Sequence, residues 1–250
     1  LYADGTTEVG EPSPTRDHTE RMLNFFEVEL GREGNTIKVR GGEAWEGKEV
    51  IVPGDISSAA FIIVAATIIP DSEITIRGVG INPTRTGSIE ILKRMGASIE
   101  VTNQMEVSGE PVADIVVRSS RLRGTEIRGE IIPRAIDEIP ILSIAASLAE
   151  GETVIRDASE LRVKETDRIT AMVSELRKFG VKIEEYEDGF TVVGGRQLKG
   201  THCKSSGDHR MAMSLIIAGL ASEGETVVDD TACIRTSFPQ FMETLQSVMG

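Results

Sequence analysis

The chain has 250 residues, 40% of them hydrophobic and 27% charged, with a formal net charge of −13, which allows one or two globular domains with a sizeable core. The acidic balance opposes broad contact with a polyanion, and one Trp with two Tyr gives no stacking platform for single-stranded nucleic acid. The longest apolar stretches, such as AAFIIVAATII from Ala59, stop short of a bilayer span, and Cys203, Cys233 and the three His residues (His18, His202, His209) form no ligand-spaced set, so neither a metal nor a membrane is expected and a reducing, cytoplasmic setting is.

In chain order the sequence predicts one supersecondary unit four times over. LYADGTTEV with SPTRDHTERML, TIIPDSEITI with NPTRTGSIEIL, SLAEGETVI with LRVKETDRITAM, and LASEGETVV with CIRTSFPQFMETL share one grammar. Each reads as an apolar helix end, a polar turn, a β-rich run, a loop carrying Thr or a cation, and an amphipathic segment; such self-similarity identifies the repeating unit. In the first three copies the amphipathic segment runs into FEVEL, GASIEV and GVKIEE, predicted as short strands, and ADIVVRS from Ala113 and FTVVGG from Phe190 are predicted closing strands.

The second to fourth copies are preceded by another kind of helix: GDISSAAFIIVAA, IDEIPILSIAASLA and GDHRMAMSLIIAGLA. Asp55, Asp137 and Asp208 are expected N-caps, their carboxylates accepting orphan backbone N–H groups. Helices apolar around their whole circumference are expected to be buried. The amphipathic helix TDRITAMVSELRKFG, expected to begin near Thr166, has apolar residues at Ile169, Met172, Val173 and Leu176, and Gly180 stands where a C′ glycine would. Strands alternating with helices predict α/β architecture. The first copy lacks its opening helix, so the expectation is a chain that starts inside a unit, its upstream segment cleaved off, engineered away or supplied as a separate polypeptide; the alternative is a degenerate terminal repeat acting as a cap. The composition shift at VPGDISS, with Pro53 and Gly54 as punctuation, predicts a boundary between 1–53 and 54–250.

Cations recur at the helix mouths, against the macrodipole, at a cost of roughly 0.3–1 kcal/mol each. Arg16, Arg85, the Arg162–Lys164 pair and Arg235 precede or open the amphipathic helices, and His209 and Arg210 follow the cap of an apolar one. Each alone reads as an exposed side chain; together they predict positive helix ends and cations converging on a shared anion. With a helix starting near Thr166, Lys164 and Arg168 would share its first turn and repel each other until an anion arrives. Glu165 between them is either an ion-pair partner or a proton donor whose pKa is set by neighbours of both signs. Asp137 has the same two readings, a cap or a general base for a substrate hydroxyl.

The stretches LRVKETDRI, GDHRMAM, GDISSAAF, PTRDHTERML and TSFPQFM resemble the 5-enolpyruvylshikimate-3-phosphate synthase family of enolpyruvyl transferases, from about Pro12 to the C-terminus. TRDHTERML is most similar to the glyphosate-tolerant bacterial class. The resemblance implies two similar domains of repeated βαβαββ units about a pseudo-threefold axis, with 1–53 the closing portion of the first and 54–250 most of the second. It implies transfer of the enolpyruvyl group of phosphoenolpyruvate to the 5-hydroxyl of shikimate 3-phosphate, without cofactor, and a complementary N-terminal fragment as partner, because the family's early Lys-Ser pair and its phosphoenolpyruvate loop have no counterpart here. By position, Arg16 is similar to the family's shikimate-3-phosphate contact and Asp137 to its ring-binding aspartate, which takes the hydroxyl proton. Lys164 and Glu165 match its acid/base pair at phosphoenolpyruvate, Arg168 and Arg210 its carboxylate and phosphate clamps, and His209 belongs to the same motif. Glu160 stands where many members have Asn, and Thr236 where enteric members have Lys, with Arg235 beside it as a substitute. The alternatives are a UDP-N-acetylglucosamine enolpyruvyl transferase, a non-catalytic half that only docks to a complementary fragment, and a simple anion-binding module.

Overall fold

The structure, a computed structural model, describes residues 1–11, 15–42 and 44–249; Pro12, where the family resemblance begins, lies outside them. The repeat read from the sequence is present as a repeated pattern of elements. A first unit comprises β1 (Thr6–Gly10), α1 (His18–Phe25), β2 (Leu30–Glu33) and β3 (Thr36–Arg40). The second comprises α2 (Ile56–Ile68), β4 (Glu73–Gly80), α3 (Gly87–Arg94), β5 (Ser98–Val107) and β6 (Glu110–Arg118). The third opens with β7 (Glu126–Ile127) and a short α4 (Ile132–Ala135), then runs α5 (Ile139–Leu148), β8 (Glu152–Ile155), α6 (Arg168–Lys178), β9 (Lys182–Tyr186) and β10 (Gly189–Val193). The chain ends with β11 (Leu198–Lys199), β12 (His202–Lys204), α7 (His209–Leu220), β13 (Ser222–Glu223), β14 (Val227–Asp229) and α8 (Phe241–Val248).

The closing strand of each of the first three units lies in the middle of its sheet, giving orders β1-β3-β2, β4-β6-β5 and β7-β8-β10-β9. All of these pairings are antiparallel except β7 with β8. GASIEV, GVKIEE, ADIVVRS and FTVVGG fall on β5, β9, β6 and β10 as expected. FEVEL does not form a strand before Leu30: Glu27 sits at φ 64 and breaks the extended run. The strand begins at Leu30 and turns back through Gly34, at φ 59, into β3.

The apolar helices α2, α5 and α7 pack against one another. Every residue of α2 from Ile56 to Thr67 is buried except Ser58, and α5 and α7 are buried along most of their length, because a helix without a polar face has no side to give to water. The amphipathic α6 turns inward the stripe that its period predicted: Ile169, Met172, Val173 and Leu176 are buried. It stops at Phe179, with Gly180 at φ 83 supplying the left-handed residue that a side chain would strain. Its start is later than expected. Asp167, not Thr166, takes the cap position, accepting from Thr170 N at 3.1 Å, and the helix begins at Arg168.

Among the described residues up to Asp55 none is buried, and from Ile56 onward the core is continuous. The first unit is tied to the rest by a polar cluster at α1. Asn82, 1% exposed, donates to Asp17 Oδ1 at 2.6 Å and Glu110 Oε2 at 3.1 Å, and His18 Nδ1 lies 2.7 Å from Glu110 Oε1. This fixes the segment that carries Arg16. Among the described residues no helix is long and apolar enough to cross a membrane.

Candidate functional site

Asp55 caps α2 by accepting from Ser57 N at 3.1 Å and Ser58 N at 2.9 Å, and Asp208 caps α7 by accepting from Arg210 N at 2.8 Å. Asp137 caps nothing, contrary to the first of its two readings. A 3-10 turn over Ile136–Glu138 leads into α5, the cap position falls to Glu138, and Pro140 needs no partner for a missing N–H. The Asp137 carboxylate is therefore turned toward the side chains around it.

Those side chains are four cations from three separate parts of the chain. Arg16 Nη2 donates to Asp137 Oδ2 at 2.5 Å. Lys164 Nζ lies 3.6 Å and Arg168 Nη1 3.5 Å from Oδ1, and Arg210 Nη2 lies 4.0 Å from Oδ2. Burial works to raise the Asp137 pKa, but Arg210, the Arg16 hydrogen bond and Lys164 outweigh it and hold the carboxyl at about 2. Arg16, Asp137 and Lys164 line one cavity of about 830 Å³ with Glu160, Pro83 and Ile136. Its neighbourhood is where the N-terminal ends of α2 and α7 and the turn before α5 meet, since Glu138 contacts both Ser57 and Arg210.

The expected repulsion between Lys164 and Arg168 is met by Asp137, which lies between them, and by carboxylates of their own. Lys164 follows the 3-10 turn over Ser159–Val163 rather than sitting in the helix, and it donates to Glu160. Arg168, 1% exposed, gives Nε to Asp208 Oδ2 at 2.8 Å and Nη2 to Glu165 Oε2 at 2.6 Å. Its Nη1 is buried with no hydrogen-bond partner and faces Asp137. A buried guanidinium N–H left unpaired is costly, so this orientation is held by the two carboxylates on its other nitrogens. Glu165 is half exposed, and its other oxygen lies 4.0 Å from His209 Nδ1. Burial, followed by the nearby Arg210, lowers the His209 pKa and favours the neutral ring.

Arg16, Asp137, Lys164, Arg168 and Arg210 thus come together, with Glu165 and His209 adjoining through Arg168. Arg85 also converges: its Nη2 donates to Ser57 Oγ at 2.5 Å, and burial, then the nearby Arg16, lowers its pKa. Two of the helix-mouth cations do not join them. Arg162 turns to the β9–β10 hairpin, donating to Tyr186 O at 2.6 Å, Glu187 O at 2.6 Å and Asp167 at 2.8 Å, because backbone carbonyls at that turn offer it a complete set of acceptors. Arg235 is exposed and lines a separate cavity with Ile216, Leu220 and Met242. Sequence reasoning missed Glu138, Ser57 and the second task of Asp208. Glu138 stands beside Asp137 in the chain, and its burial follows from the 3-10 turn before α5, which no side-chain pattern reports.

A family model described as EPSP synthase (3-phosphoshikimate 1-carboxyvinyltransferase) matches residues 1–245. The curated 3-phosphoshikimate 1-carboxyvinyltransferase of Geotalea uraniireducens (strain Rf4) is 59% identical over 249 residues, spanning 100% of this chain and 58% of that protein. The protein of the same name from Geobacter metallireducens is 57% identical over 248 residues, with 99% and 58% covered. Among solved structures, EPSP synthase from Acinetobacter baumannii superposes with a TM-score of 0.94 at 45% identity, over 98% of this chain and 57% of that one. The enolpyruvyl transferase NikO from Streptomyces tendae shares the fold, with a TM-score of 0.74 at 20% identity over 98% of this chain and 56% of that one. The chain spans about 58% of the length of the curated relatives it matches.

Proposed function

Since the chain belongs to the EPSP synthase family, we propose that it supplies the acid–base groups and most of the cationic contacts for transfer of the enolpyruvyl group of phosphoenolpyruvate to the 5-hydroxyl of shikimate 3-phosphate, and that it does so when completed by the N-terminal portion its relatives carry. The observation that carries this reading is the meeting of Arg16, Lys164, Arg168 and Arg210 at Asp137. Four cations converge on one carboxylate, and their guanidinium forks and ammonium group suit two phosphorylated, carboxylated substrates.

On this reading Arg16 holds the phosphate of shikimate 3-phosphate, and Arg168 and Arg210 hold the phosphate and carboxylate of phosphoenolpyruvate. Glu165 delivers a proton to the methylene carbon, and Asp137 takes one from the attacking hydroxyl. The tetrahedral adduct then loses phosphate and, from its new methyl group, a proton that returns to Glu165, which re-forms the double bond of the enol ether, with Lys164 placed to serve these acid/base steps. A carboxyl held at about 2 is a weak base. When two anionic substrates draw Arg16, Arg210 and Lys164 to themselves, the attractions that lower the Asp137 pKa are shared, and it rises toward the range where proton transfer is favourable. The site then becomes basic only when loaded.

Residues 1–53 are, in the same proposal, the closing portion of one domain and 54–250 most of a second; the change at Ile56 from no buried residue to a continuous core supports the division. A cytoplasmic setting belongs to the proposal too, in keeping with the free thiols Cys203 and Cys233. The family and the named relatives favour shikimate 3-phosphate over a UDP-N-acetylglucosamine acceptor. The test is to join the chain to the N-terminal portion of the Geotalea relative and supply both substrates. Enolpyruvyl product and phosphate are expected in equal amounts from the joined protein. Product from this chain alone at the same rate, or none from the joined protein, would overturn the reading.

A further inference from the structure

Glu138 is a buried carboxyl that the proposed chemistry does not use. It is 2% exposed, and its Oε1 accepts from Ser57 Oγ at 2.5 Å and from Arg210 Nη1 at 3.4 Å. Ser57 Oγ in turn accepts from Arg85 Nη2 at 2.5 Å. One carboxylate oxygen therefore serves two guanidinium groups, Arg210 directly and Arg85 through a hydroxyl. The surrounding charges are Asp137 beside it in the chain, Arg210 on α7, Arg85 before α3, and Asp55, 3.9 Å from Arg85. Burial pushes the Glu138 carboxyl up, and the Ser57 hydrogen bond, Arg210 and Arg85 oppose that. A buried carboxyl is costly to ionise without such partners.

The arrangement around Arg210 repeats the one around Arg168. Arg168 is gripped by Asp208 and Glu165 and presents Nη1 to Asp137. Arg210 has Nη1 on the Asp137 carbonyl oxygen at 3.1 Å and on Glu138, and its Nη2 is the nitrogen nearest the Asp137 carboxylate, at 4.0 Å. In both, buried carboxylate takes the donors on one side and leaves one nitrogen for the cluster. Asp208 is fully buried and also caps α7, whereas Glu138 caps nothing with its side chain.

We propose that Glu138 is a positioning residue for enolpyruvyl transfer: its carboxylate fixes the Arg210 guanidinium, and through Ser57 that of Arg85, so that Arg210 Nη2 stays aimed at phosphoenolpyruvate. This rests on the function proposed above. Arg85, drawn in by the same link and close to Arg16, belongs to the same rigid cationic wall.

The test is a double-mutant cycle in the joined protein, with Glu138→Gln, Arg210→Ala and both together. Glu138→Gln is expected to raise the KM for phosphoenolpyruvate about tenfold, as loss of a hydrogen bond to a charged partner does, with kcat within about twofold and the KM for shikimate 3-phosphate unchanged. In the Arg210→Ala background the same substitution is expected to change nothing. Additive effects in the cycle, an unchanged KM for phosphoenolpyruvate, or equal losses for both substrates would overturn the proposal. Should Glu138→Gln fail to fold, Ser57→Ala keeps the charge and breaks the link to Arg85; a raised KM for phosphoenolpyruvate supports the proposal and an unchanged one overturns it. Absence of turnover in the unsubstituted joined protein would sink the function reading alone. Glu138 is then read from the rotation of the Arg210 guanidinium by NMR, expected to be restricted in the unsubstituted protein and freed in Glu138→Gln; equal rotation in both overturns the proposal whatever the turnover.

Discussion

Replacing Asp208 by Asn separates two tasks that one side chain performs. Its Oδ1 caps α7, accepting from Arg210 N at 2.8 Å and Met211 N at 3.3 Å, and its Oδ2 accepts from Arg168 Nε at 2.8 Å. Asn is as good a cap as Asp, so the helix start is expected to survive. The ion pair does not survive: Arg168 is 1% and Asp208 0% exposed, and removing one partner of a buried pair costs about 3–5 kcal/mol. Glu165, at 2.6 Å from Arg168 Nη2, and Asp137, at 3.5 Å from Nη1, retain part of the balance. The expected loss is therefore at the low end, about 3 kcal/mol, for Asp208→Asn. Asp208→Ala loses the cap as well and is expected to cost roughly 1 kcal/mol more. Urea unfolding of the chain, followed by circular dichroism, measures both. A loss below about 1 kcal/mol for Asp208→Asn would refute the claim that this pair is buried and coupled.

Glu165→Gln in the joined protein is expected to lower kcat by roughly 10²–10⁴-fold, the usual worth of a positioned acid or base, with shikimate 3-phosphate affinity unchanged by calorimetry. Arg162→Ala is expected to leave the KM of both substrates unchanged, since its donors go to the β9–β10 hairpin. It should lower unfolding stability by an amount on the order of 1 kcal/mol. Glu138 has a raised pKa in the folded chain, so its contribution to stability is present below its unfolded pKa and is lost as pH rises through the folded value. The stability difference between Glu138→Gln and the unsubstituted chain is therefore expected to move in favour of Glu138→Gln as pH rises from about 4 to neutral, which a pH series of urea unfolding curves would show.

The units were legible in the sequence because their signals are local. Periodicity near 3.6 in α6, the glycine after it and the capping aspartates before α2 and α7 each depend on a few neighbouring residues. What failed depended on contacts across the chain or on backbone that no side-chain pattern reports. FEVEL has the composition of a strand, yet Glu27 takes a left-handed conformation at the end of α1. Asp137 stands in the sequence where Asp55 and Asp208 stand, and only the 3-10 turn before α5 turns it away from the helix. The cations were visible as a class at the helix mouths. Arg162 and Arg210 nonetheless look equivalent in a string, and only the fold shows one facing a hairpin and the other facing Asp137.

The family resemblance named the residues around Asp137, but it was silent on what holds them. Those partners are carboxylates whose spacing from the arginines is 40 residues for Asp208 and Arg168 and 72 for Glu138 and Arg210. Nothing local couples such distant positions; the packing of α2, α5 and α7 brings them together. That packing lets helix starts which attract anions share their space with cations, and the neighbouring carboxylates offset the repulsion this creates.

The most direct measurement is the titration of the Asp137 side-chain carboxyl carbon by NMR, in the joined protein, alone and with both substrates bound. A midpoint at about 2 is expected without substrates, and a rise is expected when the substrates engage Arg16, Lys164 and Arg210. A midpoint in the ordinary aspartate range without substrates, or one that substrates leave where it was, would contradict this expectation.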